Sequence, residues 1–88
     1  MTVDKIAEIA YEASRVCLRT QNNFSMPLWT MAKDKTVTSA INAVNRFLEN
    51  PVEAEKEINR GDAAGLVWLA VVKALTTQSS EKESGNAE

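Results

Sequence analysis

The chain lacks histidine and has a single cysteine among its 88 residues. Without histidine, the side chain most often used for proton transfer near neutral pH is missing, which argues against acid–base catalysis. One cysteine cannot form an intramolecular disulfide, and Cys17 falls in an apolar helical stripe, where a thiol usually behaves as a small buried hydrophobe. A structural zinc site needs several cysteine or histidine ligands. We therefore expect a non-enzymatic protein with no metal and no other cofactor.

Long apolar runs and an excess of positive charge are lacking as well. The formal net charge is -2 and the isoelectric point lies near 5.1, which argues against a general nucleic-acid binder. The longest apolar run, residues 66–72, is far too short to cross a bilayer, and the N-terminus has no apolar signal core. Eighty-eight residues allow one domain at most. Because the chain has no signal core, no membrane-spanning run and no possible intramolecular disulfide, we expect a soluble, cytoplasmic protein that does not enter membranes.

Apolar residues recur at helical spacing in most of the chain. The segment 29–48 is central, because its second half carries one apolar stripe over three to four helical turns and needs partners to cover it. A first helix, ending near the turn residues 21–23, has a similar stripe. The first stripe consists of Ile6, Ile9, Ala10, Ala13, Val16 and Cys17, and the second of Val37, Ala40, Ile41, Val44, Phe47 and Leu48.

Polar residues mark the predicted helix starts. Thr2 is placed to cap the first helix. Asn50, with Glu53 three residues later, forms a capping-box arrangement at the start of a short acidic helix. Asp62 is placed to cap a last helix over about residues 63–76. Between the first two helices, the large apolar side chains Phe24, Leu28 and Trp29 are expected to fold back over the core.

These patterns predict an all-α fold, a compact three- to four-helix bundle over residues 1–76. Residues 77–88 are predicted to be a flexible polar tail, because their composition cannot offset the entropy of ordering. The last helix is apolar nearly all round, and so small a chain cannot easily cover every side of it. We therefore expect a homo-oligomer whose interface contains Leu66, Trp68, Leu69 and Val72.

A modest case for ligand binding rests on the first helix and the loop after it. Tyr11 and Arg15 lie one helical turn apart, and Phe24 and Trp29 belong to a loop that must pass close by. An aromatic ring can stack on a base and a guanidinium can bind phosphate with two hydrogen bonds, while Lys33 and Lys35 add positive charge. The alternative stays open that the aromatic residues only cover the core and that the cations are ordinary surface charge.

The order of several short motifs resembles the ryanodine-receptor repeat (RyR domain). The resemblance covers roughly two-thirds of the chain. It departs from the family in the short acidic segment 52–65, which replaces a longer one, and in Ser14 and Ala43, where the family often has Asn and Gly. The matching residues are Tyr11-Glu12-Ala13-Ser14-Arg15, Pro27 with Trp29, Ser39-Ala40-Ile41, Val44, Phe47, Asn50-Pro51 and the closing segment 69–75.

The resemblance implies a non-enzymatic module, since RyR repeats are associated with subunit contacts and with adenine-nucleotide-like ligands. A free-standing copy of this size resembles a bacteriophage accessory protein that sequesters a nucleotide signal of host defence, an anti-defence role in the host cytoplasm. On that interpretation Tyr11 or Trp29 stacks on the base. Arg15 holds phosphate with Lys33 or Lys35, and Glu12 orients Arg15 or accepts from a ribose hydroxyl.

Two other functions fit the same sequence. The first is a protein-binding module that docks on a host protein, and inhibits it, through the apolar last helix or the acidic third helix without a small ligand. The second is a structural subunit of a larger assembly.

Overall fold

The computed structural model describes the backbone of residues 1–87 and the side chains of residues 1–77. Over that part of the chain there are four α-helices and no strand, so the predicted all-α bundle is confirmed. No helix in the described residues is long and apolar enough to span a membrane. The elements are α1 (Val3–Thr20), a 3-10 turn (Trp29–Met31), α2 (Asp34–Glu49), α3 (Pro51–Lys56) and α4 (Ala63–Ala87).

Side-chain caps begin α1 and α3 at the predicted positions. The Thr2 hydroxyl accepts a hydrogen bond from the Lys5 N–H at 3.2 Å, and the Asn50 side chain accepts one from the Glu53 N–H at 3.3 Å. Each cap satisfies a backbone donor that the first helical turn leaves without a partner. α1 ends at Thr20, as predicted, and the chain turns through Asn22, whose φ of 60° lies in the left-handed region that asparagine tolerates.

α1 is the central element of the bundle. It packs along α4 and across α2, while α3 packs against α2. Its buried face is made largely of small residues, since Ala7 and Ala10 are completely covered. Small side chains let helix axes approach closely, which explains how one helix can contact two others along its length. The core consists of Ile6, Ala7, Ala10, Val44, Phe47, Leu69 and Val72.

The buried face of α1 differs from the predicted stripe. Val16, predicted to be on the apolar stripe, is 53% exposed, whereas Ala7, Tyr11 and Ser14 are buried. Ile6 and Ala10 of the predicted stripe do lie in the core, so the packed face overlaps the predicted one and extends to residues that the prediction left out. In α2, Leu48 is exposed instead of covered by the core.

Two further predictions about apolar residues are wrong. Leu69 and Val72 were expected at a subunit interface, but both lie in the core of the single chain because α1 covers them. Of the three large side chains in the loop after α1, Trp29 alone packs on the core, while Phe24 and Leu28 are exposed.

The last helix is longer than predicted. α4 continues to Ala87, although the sequence predicts its end near Thr76. Between Thr76 and Gly85 the sequence has neither proline nor glycine, so no strong helix breaker interrupts the backbone there. The flexible tail predicted for residues 77–88 falls almost entirely on residues whose side chains lie outside the described part of the chain. It therefore stays a prediction.

Two valines separate core packing from surface effects. Val44 is completely buried and Val52 is 62% exposed. We expect Val44→Ala to lower the free energy of unfolding by about 2 kcal/mol, because it removes buried methyl groups and leaves a cavity. Val52→Ala should change it by no more than about 0.5 kcal/mol. Urea unfolding followed by circular dichroism measures both; equal midpoints for the two variants would contradict the core assignment.

Candidate functional site

The structure brings Tyr11 and Trp29 together, but as packed residues. Their rings meet edge to face with centroids 5.3 Å apart and an interplanar angle of 64°. The Tyr11 hydroxyl donates a hydrogen bond of 2.6 Å to the carbonyl oxygen of Pro27, and the residue is only 6% exposed. A base cannot stack on a ring that is covered in this way. Tyr11 therefore holds the loop against α1 and takes no part in the candidate ligand site.

The Glu12 carboxylate accepts hydrogen bonds from two sides. One side is Arg15, whose Nε and Nη2 donate at 3.1 and 2.9 Å. The other is the backbone N–H of Trp29, which donates at 2.9 Å. We call Glu12, Arg15 and Trp29 the Glu12 clamp, because one carboxylate fixes both a guanidinium and the start of the 3-10 turn. Glu12 thus orients Arg15, and both Glu12 carboxylate oxygens already accept hydrogen bonds within the chain.

The protonation states follow from these contacts. The hydrogen bonds from Arg15 hold the pKa of Glu12 below its ordinary value; partial burial opposes this, and the Trp29 N–H adds to the lowering. Burial is the main reason why the pKa of Tyr11 is raised, with the neighbouring Glu12 charge adding to it and Arg15 opposing it. Glu12 is therefore charged and Tyr11 protonated at neutral pH, as both sets of hydrogen bonds require.

Lys33 and Lys35 stand apart from the clamp. Both are exposed, and neither lines the hollows described below. Lys33 precedes α2 and makes no capping hydrogen bond with its side chain. Four of the six predicted ligand residues therefore come together, and these two lysines do not join them.

An open hollow of about 600 Å³ lies at the C-terminal end of α1. Arg15 and Arg19 are on its wall, and the Arg19 guanidinium also lies over the Phe24 ring, 5.0 Å from the ring centroid. The sequence prediction included Arg15 and placed Phe24 in the nearby loop without giving it a role, and it missed Arg19. The four-residue spacing of the two arginines was the available signal. We name this feature the α1-end hollow; its lining is Arg15, Val16, Arg19, Thr20 and Leu28.

The charge around the α1-end hollow is positive. Arg15 and Arg19 each carry one positive charge, and the Glu12 carboxylate cancels one of them. The C-terminal end of a helix adds the equivalent of about half a negative charge. The sum stays positive, and a guanidinium suits phosphate or carboxylate better than a simple point charge does. The hollow can therefore hold an anion that also has an apolar part to place on Val16 and Leu28.

Comparison of the chain with protein-family models, with curated proteins and with solved structures gives no match. Within the described residues, no three His, Cys, Asp or Glu side chains are grouped so that they could hold a metal ion.

The Glu12 clamp predicts a specific loss of stability. Glu12→Gln should lower the free energy of unfolding at pH 7 by about 1 kcal/mol, because it replaces charged hydrogen bonds by neutral ones. A carboxylate whose pKa is lowered in the folded state stabilises the fold above its ordinary value of 4.5. That contribution disappears as the pH falls through the lowered pKa. The wild type and the variant should therefore converge in acid, as measured by urea unfolding at several pH values.

Glu8→Gln is the matched control on the same helix. Glu8 forms a more exposed ion pair with Lys5 at 3.6 Å, and such pairs contribute little to stability. A loss for Glu8→Gln equal to that for Glu12→Gln, or one that persists unchanged at low pH, would show that the clamp does not hold the loop.

Proposed function

We propose that this protein is a non-enzymatic binding protein that holds a nucleotide-like anion in the α1-end hollow. The observation that carries the proposal is that Arg15 and Arg19 share one hollow with apolar side chains. A volume of about 600 Å³ lies within the range of about 300–1,000 Å³ that is usual for small-molecule sites. A phosphate group would bind the guanidiniums while a base would lie on Leu28 and Phe24.

Phe24 replaces Tyr11 as the stacking residue in this proposal. Its ring is 62% exposed beside the hollow, whereas Tyr11 is covered. Base stacking on an aromatic side chain contributes about 1–3 kcal/mol per base. The Arg19 guanidinium above the ring adds positive charge close to the base and its phosphate. Phe24 is exposed and does not pack against the core, which favours a role in binding.

The biological role in this proposal comes from the resemblance to the RyR repeat. An adenine-nucleotide-like signal of host defence would be the ligand, and the protein would act by sequestering it. A bacteriophage protein of this kind would work in the host cytoplasm. Binding alone suffices for such a role, so the site needs no catalytic groups, only affinity and an adequate amount of protein.

A protein partner is the second candidate. The exposed apolar side chains of Val16, Phe24 and Leu28 form a patch that a protein could cover equally well. The acidic third helix offers less, because each of its glutamates has a cationic neighbour within the chain. The pairs are Glu53 with Lys56, Glu55 with Lys73, and Glu57 with Arg46.

Arg19 is the best residue with which to test nucleotide binding, since Arg15 also holds Glu12. Linear and cyclic adenine nucleotides should raise the melting temperature of the wild type. A ligand at a concentration a hundredfold above its Kd raises the free energy of unfolding by about 2.7 kcal/mol. Arg19→Ala should weaken binding by about tenfold, the effect expected on losing a charged hydrogen bond. Isothermal titration calorimetry measures the affinity.

Lys33→Ala provides the control, because it removes the same charge from an exposed position that does not line the α1-end hollow. The Lys33→Ala variant should bind the nucleotide with the same affinity as the wild type. Equal affinities for Arg19→Ala and the wild type would refute the site. If no nucleotide stabilises the protein while a host protein is recovered on immobilised wild type but not on Phe24→Ala, the second candidate is correct.

We retain in the proposal the self-association expected from the sequence. The interface is smaller than the predicted one, because Leu69 and Val72 are buried in the core. Of the four predicted residues, Leu66 is the most accessible at 40% exposure, and Trp68 is half-buried. Leu66→Glu should convert an oligomer to monomers in sedimentation velocity, because it places a charge in an apolar contact. Leu48→Glu, also on an exposed leucine, should sediment as the wild type does. A wild-type monomer, or an unchanged Leu66→Glu oligomer, would contradict the interface.

A further inference from the structure

A second hollow, of about 420 Å³, lies beside Trp68 between α1, α2 and α4. The backbones of α2 and α4 approach α1 more closely than they approach each other, and the hollow lies between them. Ala40 on α2 and Ala64 on α4 line it, and their small side chains leave the space unfilled. We call this space the Trp68 hollow. It is separate from the α1-end hollow in its lining residues.

Gly65 keeps the floor of the Trp68 hollow open. A Cβ atom at this position would lie 2.9 Å from the Asp62 carboxylate oxygen Oδ2 and 3.3 Å from Cγ2 of Ile58. The carboxylate therefore lies directly over the glycine, at the edge of the hollow. Its full negative charge outweighs the partial positive charge of about half a unit at the start of α4.

The two hydroxyl groups that line the Trp68 hollow, those of Ser14 and Tyr11, can accept hydrogen bonds from a ligand. The Ser14 hydroxyl donates its hydrogen to the carbonyl oxygen of Ala64 at 3.0 Å, and the Tyr11 hydroxyl donates to Pro27. A hydroxyl has one hydrogen to donate, so both can accept but not donate again. Asp62 also accepts only. Among the described lining residues there is no lysine or arginine, and the indole N–H of Trp68 is a neutral donor.

We propose that the Trp68 hollow binds a planar apolar amine, with its ring against Trp68 and its ammonium group toward Asp62. The ring would bury apolar surface on Leu18, Met26 and Trp68. The ammonium would be attracted by the carboxylate and by the aromatic face. An anion is disfavoured here, which makes this site opposite in charge preference to the α1-end hollow.

Three probes that share the indole ring and differ in charge test the proposal: tryptamine is a cation, indole is neutral and indole-3-acetate is an anion. Binding is followed through the indole N–H signal of Trp68 in nitrogen–proton NMR spectra, assigned with Trp68→Phe. We expect tryptamine to bind about three- to fivefold more tightly than indole, as for a partly exposed ion pair, and indole-3-acetate most weakly. Asp62→Asn should abolish this preference and leave the affinity for indole unchanged.

Substitution of two alanines on α2 by leucine gives a matched pair of variants, one that fills the Trp68 hollow and one that fills a neighbouring hollow. Ala40 lines the Trp68 hollow, whereas Ala43 lines a smaller hollow of about 260 Å³ that also borders Trp68. Ala40→Leu should weaken binding of all three probes at least tenfold, and Ala43→Leu and Arg19→Ala should leave it unchanged. The proposal is overturned if no probe shifts the Trp68 signal at millimolar concentration, if indole-3-acetate binds most tightly, or if a folded Ala40→Leu binds as the wild type does.

Discussion

The close approach of α1 to α4 is the constraint on which the rest of the structure depends. Ala7 and Ala10 are fully covered, and the buried Ser14 hydroxyl donates to the carbonyl oxygen of Ala64 in the first turn of α4. A larger side chain at these alanines would separate the two helices, because a packed interior accommodates added volume poorly. With α1 so close to α4, its remaining face receives α2. The cleft between α2 and α4 is then the space that a three-helix arrangement around one narrow helix leaves open.

The sequence was informative about the helices and less so about their faces. Caps at Thr2 and Asn50 predicted two helix starts, because capping is a local interaction that neighbouring residues decide. The buried face of α1 was predicted from large apolar residues such as Val16, which is exposed. Which face is buried depends on the distance between helix axes, and that distance is set by residues far apart in sequence. The predicted stripe included Ala10, which is buried, but not Ala7 and Ser14, which are buried as well.

The candidate site shows the same division. Helical spacing predicted that Tyr11, Glu12 and Arg15 would share one side of α1, and the short loop predicted that Trp29 would be near. What the sequence did not reveal is that these groups satisfy one another. The Glu12 carboxylate accepts hydrogen bonds from Arg15 and from the Trp29 N–H, and the Tyr11 hydroxyl donates its hydrogen to the carbonyl oxygen of Pro27. Whether a polar group is available to a ligand depends on its partners in space, which residue types alone do not specify.

This gives the RyR-like motif a physical meaning without reference to any ligand. Tyr11, Glu12, Pro27 and Trp29 are the residues that fasten the loop to α1, through one ring contact and hydrogen bonds to two backbone groups. A chain that needs this loop geometry needs these residue types, whatever it binds. Such a motif therefore indicates how the loop is built. These contacts do not involve Arg19 or Phe24, whose side chains are exposed, with the Arg19 guanidinium lying over the Phe24 ring.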